Sequence, residues 1–186
     1  MRLTQDDLTI RNATAADAAQ LCAWWSDGKV MAHAGFPNGI KCTPEEIAKS
    51  LATDRDDTYR RHVIELDGEL IGEMNYRNAD GSAELGIKIC DFSAQKKGYG
   101  TRLLSIFIDA IFRHMSYERA ILDTNLKNKR AQHVYEHKLG FRFVELQKDA
   151  WHDQLGELNS TMCYDMSKAD WLELHKEPLG YNFSLE

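Results

Sequence analysis

The sequence predicts an α/β fold, in which a twisted mixed sheet of six to seven strands is flanked by helices. Three observations lead to this expectation. Short apolar runs that alternate with polar residues are joined by tight-turn signals, which is typical of an antiparallel meander. A long run with apolar residues at helical spacing follows them. A short apolar strand comes after that helix, and a strand reached in this way lies parallel to the strand before the helix.

The N-terminal part is predicted to hold one strand and two helices. Residues 8–11 alternate as a strand does. A helix with a threonine N-cap is expected over residues 15–25. Another helix begins at Thr43-Pro44, where a capping residue, a first-position proline and two following acids coincide. Residues 26–43 are expected to form a loop that contributes apolar side chains.

The central part is predicted to form the meander. Residues 62–66, 70–76 and 82–90 are the three strands, and Asp67-Gly68 between the first two is a hairpin signal. The following helix, residues 101–115, carries a core-facing apolar stripe.

The C-terminal part continues with a parallel strand over residues 120–124 and a helix from Asn128 to Lys138. Two final strands, residues 141–146 and 161–166, are expected to be joined by a long polar connection over residues 147–159. A last short helix, capped by a serine, surrounds Trp171, and the tail beyond it is left unassigned.

Composition narrows the classes of function. The chain has 186 residues, 43% of them hydrophobic, so we expect a single domain over residues 1–186, with a core at about 8–166 and a helix and tail over 167–186. The net charge of -6 argues against a nucleic-acid partner. No apolar run is long enough to span a bilayer and no signal peptide is evident, so no membrane partner and a cytoplasmic location are expected.

No metal site is predicted. The four cysteines lie far apart and are interpreted as free thiols. His133 and His137 lie four residues apart, but they are better explained as a helix surface pair because no third ligand is evident.

The most informative stretch is the glycine-rich turn between the third meander strand and the long helix. It reads Gln95-Lys96-Lys97-Gly98-Tyr99-Gly100-Thr101, the pattern Q-x-x-G-x-G. Free N–H groups at a helix start attract anions, and glycines allow a phosphate to approach the main chain. The turn could also be an ordinary loop with two glycines, because so short a motif often occurs by chance.

Two motifs together resemble the GNAT family of N-acetyltransferases. The turn is similar to that family's acyl-CoA pyrophosphate loop, [RQ]-x-x-G-x-[GA]. The spacing Asn128-x-x-Ala131-x-x-x-Tyr135, followed by Leu139-Gly140-Phe141, resembles the second conserved helix and the next strand. The resemblance covers residues 8–166. The stretch from Tyr135 to Gly140 is one residue longer than the commonest family pattern, which predicts a looser helix end that leaves Tyr135 in place.

The resemblance implies a fold, a donor and its binding residues. The sheet should splay between the fourth strand, residues 84–90, and the fifth, residues 120–124, and acetyl-CoA, the acyl donor, should enter that gap. Lys96 with Lys129 and Arg130 could meet the adenosine phosphate, or these cations could be solvated surface charges. The residues expected to bind the donor are Ile87, Lys88 and Ile89 through the main chain, the loop residues Gln95, Lys96, Lys97, Gly98, Gly100 and Thr101, and Asn128.

The resemblance also implies the catalytic residues. Tyr135 matches the tyrosine that protonates the departing thiolate, although it could be a core tyrosine. Glu84 is the candidate base, although Glu73 and Asp123 on neighbouring strands remain alternatives and an exposed edge glutamate is the plain explanation. The acceptor pocket is expected to include Trp25, Asp27, His33, Phe36 and Trp151, which could equally be packing residues of long loops.

The function implied is acetyl transfer from acetyl-CoA to a primary amine by direct attack. The stretch Trp24-Trp25-Ser26-Asp27 and the closing helix resemble the branch with ribosomal-protein, polyamine and aminoglycoside acetyltransferases. The acceptor, a small molecule or a peptide N-terminus, stays open, as does a homodimer. The alternative from another class is a non-catalytic acyl-CoA sensor, which would need neither Glu84 nor Tyr135.

Overall fold

A computed structural model describes residues 1–185, which form one mixed sheet with helices on both faces. Over these residues the sheet has nine strands in the order β7-β8-β6-β5-β4-β3-β2-β1-β9. The strands are β1 (Arg2–Gln5), β2 (Leu8–Asn12), β3 (Tyr59–Leu66), β4 (Glu69–Ala79), β5 (Ser82–Ile89), β6 (Arg119–Asn125), β7 (Arg142–His152), β8 (Leu158–Ser167) and β9 (Asn182–Ser184). The helices are α1 (Ala18–Ser26), α2 (Gly28–Met31), α3 (Pro44–Leu51), α4 (Tyr99–His114), α5 (Lys129–His133) and α6 (Lys168–Leu174).

The predicted fold class is confirmed, and the meander β3-β4-β5 is antiparallel throughout. The sheet exceeds the expected six to seven strands because β1 and β9 add to one edge. The β1 strand pairs with β2, and β9, from the tail that was left unassigned, pairs with β1.

The parallel pair β5 and β6 opens as predicted. Only Ala83 with Ala120 and Glu84 with Ile121 are in register, after which the two strands diverge. Beyond Glu84 the β5 strand keeps its pairing with β4 but has no partner on its β6 side. The resulting gap in the middle of the sheet is the feature that positions the candidate site.

Two apolar clusters hold the helices against the two faces of the sheet. The larger cluster contains the apolar stripe of α4 together with side chains from β1 to β6. The smaller cluster packs α1 and α3 against β3. Asp109 is the buried acid of α4, and it accepts hydrogen bonds from Arg113, from the indole of Trp171 and from the hydroxyl of Tyr181. These bonds tie α6 and the C-terminal tail to the long helix.

The helix starts follow local capping chemistry. Thr43 and Glu46 form a capping box at the start of α3, as the Thr43-Pro44 signal predicts. The first predicted helix begins instead as a 3-10 turn, Ala15–Asp17, before α1. The stretch expected to be a loop contains α2 and a 3-10 turn over Ala32–Ala34, because four residues are too few to produce a helical period in the sequence.

The predicted long connection over residues 147–159 is wrong. The β7 strand runs to His152 and β8 begins at Leu158, so the two form an extended hairpin. The β7 strand reads as polar because it is the sheet edge and most of its residues are exposed. Its register shifts between Gln147 and Trp151, and such a bulge re-aims the side chains that follow it.

The extra residue after Tyr135 is accommodated by a π-helical turn over Val134–Lys138. The Leu139 N–H donates to the Val134 carbonyl oxygen five residues earlier, at 3.0 Å. A π turn holds one more residue than an α turn, which confirms the looser helix end. No helix among residues 1–185 has the length and apolar character needed to cross a bilayer.

Candidate active site

The gap between β5 and β6 forms a cleft of about 790 Å³. This volume lies within the range of small-molecule sites. We call the part bounded by Gln95–Thr101 and the free edge of β5 the loop end, and the part bounded by α2, Asp123 and Trp151 the hairpin end. The sequence-predicted site residues that line the cleft are Ile87, Lys88, Ile89, Gln95, Lys96, Gly98, Gly100, Thr101, Asn128, Tyr135, His33 and Trp151.

The glycine-rich turn at the loop end presents main-chain N–H groups. Gln95 anchors the start of the turn, because its side-chain NH₂ group donates to the Ile89 carbonyl oxygen at 2.9 Å. Lys96 (φ 62°) and Gly98 (φ 87°) both adopt left-handed backbone, and Gly98 is the N-cap of α4. The N–H groups in the first turn of α4 lack intrahelical acceptors, so this turn can receive an anion.

The free edge of β5 supplies the second wall of the loop end. Since β5 and β6 separate after Glu84, main-chain groups between Leu85 and Ile89 face the gap without a strand partner. Unpaired strand groups are a template for an extended ligand. Asn128 lies opposite, and its side-chain oxygen accepts the Ala131 N–H at 3.2 Å, which leaves its NH₂ group for a ligand.

The cations around the loop end take different positions. Lys96 and Arg130 line the cleft, whereas Lys97 is exposed and lies outside the lining. Lys129 also lies outside it and donates to the Gln132 side chain at 3.2 Å.

Tyr135 lies in the π turn and faces the cleft with only 7% of its surface exposed. Its ring packs against Phe141 and Tyr164, while its hydroxyl has no hydrogen-bond partner within residues 1–185. Burial and then the charge of Asp123 raise its pKa, so the phenol keeps its proton at neutral pH. A buried, protonated and unpaired hydroxyl that faces a cleft can donate to a ligand atom.

Asp123 is the carboxylic acid that lines the cleft. In the register that pairs Glu84 with Ile121, Asp123 projects from the same sheet face as Glu84 and Lys88. The side chain is open to the cleft, but the protein walls around it limit its solvation. That desolvation first, and the charge of Glu84 second, raise the pKa of Asp123.

The other two candidate acids are committed to cations. The Glu84 carboxylate pairs with the Arg77 guanidinium at 2.6 Å and lies outside the cleft lining. The Glu73 carboxylate pairs with the Lys88 ammonium at 2.8 Å and also accepts the Trp25 indole N–H. The role of Glu84 as base stays a prediction.

The predicted acceptor residues separate into two groups. His33 and Trp151 line the hairpin end of the cleft. Trp25, near the end of α1, instead packs against the smaller apolar cluster, and its indole N–H donates to Glu73. Asp27 caps α2 by accepting the Lys29 N–H at 2.8 Å. Phe36 is 39% exposed and lies outside the lining. A role of these three in binding stays a prediction.

The β7–β8 hairpin closes over the hairpin end. The Gln154 N–H donates to the Gly35 carbonyl at 2.8 Å, and the Gln154 side chain accepts the Asn38 N–H at 2.8 Å. Gly35 lies so close to Trp151 that a Cβ there would stand 2.5 Å from the Trp151 ring. Trp151 is fixed from its other side, since its indole N–H donates to the Thr161 hydroxyl at 3.1 Å.

Sequence reasoning missed several residues of the hairpin end. Lys29, Asn125, Gln147 and Thr161 line the cleft but belong to no motif. Lys29 lies on a helix too short to recognise, and Gln147 and Thr161 come together only through the hairpin. Within residues 1–185 no group of three or more His, Cys, Asp or Glu side chains could hold a metal ion.

Comparison with known proteins gives one family match and many similar folds. The family model described as "Acetyltransferase (GNAT) domain" matches residues 7–142. Spermidine N-acetyltransferase from Vibrio cholerae, solved with CoA and spermine, is 20% identical with a TM-score of 0.80, over 90% of this chain and 99% of that one. Ribosomal-protein-S5-alanine acetyltransferase from Vibrio fischeri is 18% identical with a TM-score of 0.76, over 92% and 98%. A ribosomal L7/L12 α-N-protein acetyltransferase with CoA is 16% identical with a TM-score of 0.77, over 90% and 97%.

Proposed function

Because the chain belongs to the acetyltransferase (GNAT) domain family, and is therefore an acetyl-CoA-dependent N-acetyltransferase, we propose that it acetylates a primary amine by direct attack in the cleft between β5 and β6. The observation that carries this proposal is the convergence of three features in one cleft. These are the anion-receiving turn, the free edge of β5, and the side chains of Asp123 and Tyr135 in the same lining.

The loop end fits the donor. Main-chain N–H groups from Gly98 to Thr101 would hold the pyrophosphate, and β5 beyond Leu85 would pair with the pantetheine arm. Lys96 and Arg130 would meet the adenosine phosphate, and the Asn128 NH₂ group would bond the arm. Acetyl-CoA supplies the acetyl group as a thioester, and a fixed position for that thioester lowers the entropic barrier.

The chain's own residues would move two protons. Asp123 takes a proton from the attacking ammonium group, so that the nitrogen lone pair can form the new C–N bond. Tyr135 gives its proton to the sulfur as the C–S bond breaks, and the second proton that the nitrogen loses restores the neutral phenol. The products are an amide and free CoA thiol, and Asp123 releases its proton to solvent. A carboxyl with a raised pKa is a better base than an ordinary one, which is why we favour Asp123 over Glu84.

The experiment is a thiol-release assay with acetyl-CoA and a panel of primary amines. Asp123→Asn should lower kcat by about 100-fold or more, because a positioned base contributes about that much. Glu84→Gln should retain most activity, and Asp149→Asn on the exposed β7 strand is the control. If Glu84→Gln loses activity and Asp123→Asn does not, the base is Glu84. If no amine releases thiol, the proposed function is wrong.

The oligomeric state is a separate prediction. A homodimer is a prediction that size-exclusion chromatography with light scattering would test.

A further inference from the structure

The charges at the hairpin end of the cleft define the class of amine that it accepts. Resting on the proposed function, we propose that the acceptor is a primary amine that also carries an anionic group, such as a carboxylate, and is not a polyamine. Lys29 is the residue that would bind that anionic group.

The first observation is the sign of the charges around the cleft. Of the described residues that line it, Asp123 is the one carboxylate. Four cationic side chains line it, of which Lys96 and Arg130 lie at the loop end, where the donor's phosphates would bind. Lys29 lies on α2, and the Lys88 side chain reaches from β5 to the sulfur of Met31 on the same helix, at 3.0 Å, so these two cations remain for the part of the cleft that receives the acceptor.

Lys29 and Lys88 differ in how far their charge is compensated. Lys88 lies 2.8 Å from the Glu73 carboxylate, and the Trp25 indole N–H, at 2.9 Å, fixes that carboxylate in place. The Lys29 ammonium makes no hydrogen bond or ion pair within residues 1–185, and its side chain is exposed at the cleft wall. The Lys29 ammonium is therefore unpaired, since the neighbouring Asp27 carboxylate is bound to the main-chain N–H of Lys29 at 2.8 Å.

A polyamine finds no second partner in this arrangement. Its reacting amine would face Asp123, and each further ammonium group would then lie among cationic or neutral side chains. Like charges in a cleft disfavour binding, whereas an opposite charge favours it. An acceptor that carries an anion would pair its amine with Asp123 and its anion with Lys29. The spermidine N-acetyltransferase named above shares the fold alone, so its acceptor does not decide the question.

The test compares three amines of equal chain length: 4-aminobutyrate, n-butylamine and 1,4-diaminobutane. We expect kcat/KM to be highest for 4-aminobutyrate and lowest for 1,4-diaminobutane, with a ratio of about tenfold or more between them at low ionic strength. A second set uses peptides that start with serine and differ only in an aspartate, alanine or lysine at the next position. A preference for the anionic member of either set supports the inference. If only one set shows that preference, the set identifies the acceptor as a small molecule or as a peptide N-terminus.

The charge-reversal variant Lys29→Glu should invert the ranking, and Lys29→Gln should flatten it. Lys49→Glu on the exposed face of α3 makes the same change in net charge away from the cleft and should leave the ranking as in the wild type. A wild-type preference for the diamine, or a ranking unchanged in Lys29→Glu, overturns this inference while the proposed function stands. Absence of thiol release with every amine and peptide overturns both.

Discussion

The loop end and the hairpin end of the cleft are built in different ways. The loop end comes mostly from residues 85–101, and its binding groups are main-chain N–H and C=O groups. The hairpin end combines α2, β6 and the β7–β8 hairpin, and its groups are side chains. A site made of local backbone depends on conformation, whereas a site made of distant side chains depends on tertiary contacts. Substitutions at the two ends should therefore change different kinetic constants.

Tyr135 lies between the two ends, and its substitution should change the reaction rate more than substitutions at Gly98, Gly35 or Glu84. Tyr135→Phe keeps the ring packed between Phe141 and Tyr164 but removes the proton donor. We expect kcat to fall about 100-fold while the Kd of acetyl-CoA stays unchanged. Stopped-flow thiol release and calorimetric titration would measure the two constants.

The matched control is Tyr164→Phe, which removes a hydroxyl that bonds Glu136 at 2.7 Å outside the cleft lining. That variant should lose some stability and little activity. Equal activity loss in the two variants would indicate that packing, and not proton donation, explains the effect.

The conformational character of the loop end can be tested at Gly98, which has a φ of 87° and no atom within 4 Å of the position that a Cβ would take. Gly98→Ala meets no steric obstacle, but left-handed backbone costs an L-residue about 1–2 kcal/mol. We expect that cost to shift the turn away from its binding conformation, so acetyl-CoA should bind about tenfold more weakly. The KM for the amine should not change.

Gly68→Ala is the control for Gly98→Ala, because Gly68 has a φ of 84° with equally open surroundings in the β3–β4 turn. It should reproduce the loss of thermal stability without any loss of donor affinity. If both variants bind acetyl-CoA as the wild type does, the turn is not the pyrophosphate site.

The hairpin end should respond in the opposite way, with a smaller effect. In Gly35→Ala the new Cβ would stand 2.5 Å from the Trp151 ring, so the ring must move. We expect the KM for the amine to rise about fivefold, in line with the cost of modest overpacking, and the Kd of acetyl-CoA to stay unchanged.

Gly156→Ala, also in left-handed backbone (φ 82°) but with nothing nearby, controls for strain in the hairpin turn. A rise in the acetyl-CoA Kd of Gly35→Ala would remove the proposed division between the two ends.

The smallest effect is expected on the pH profile. The charge of Glu84 raises the pKa of Asp123, so Glu84→Gln should lower that pKa. Asp123 would then be ionised at lower pH, and the ascending limb of kcat/KM against pH should move to lower pH with little change in its plateau. Glu69→Gln, at the exposed start of β4, should leave the profile in place. A collapse of the plateau in Glu84→Gln would instead identify Glu84 as the base.

The sequence predicted the loop end well because its signals are local. Gly98 and Gly100 mark the turn at the start of α4. Two features outside the loop end were predicted from equally local signals: Thr43-Pro44 predicted the start of α3, and the extra residue after Tyr135 predicted the looser helix end seen as the π turn. At the hairpin end the sequence predicted only His33 and Trp151, and Asp123 as an alternative base, because the contact between Gly35 and Trp151 joins residues more than a hundred positions apart. The strand β9 was missed for the same reason, because it pairs with β1 at the other end of the chain. The strand β1 pairs locally with β2, but the turn between them at Asp6-Asp7 contains no glycine to mark a hairpin.

The π turn has a consequence for how chain length can vary in this protein. A residue added to an ordinary helix rotates everything after it by about 100° around the axis. Here the wider turn absorbs the addition, and the Phe141 N–H still reaches the Tyr135 carbonyl at 2.8 Å. One residue added between Glu136 and Lys138 is therefore absorbed by the turn and displaces neither the phenol of Tyr135 nor the strand that follows. An ungapped sequence alignment of this chain with a relative that has an ordinary α-helical turn here would be offset by one residue after the turn, although the backbones on either side could still superpose.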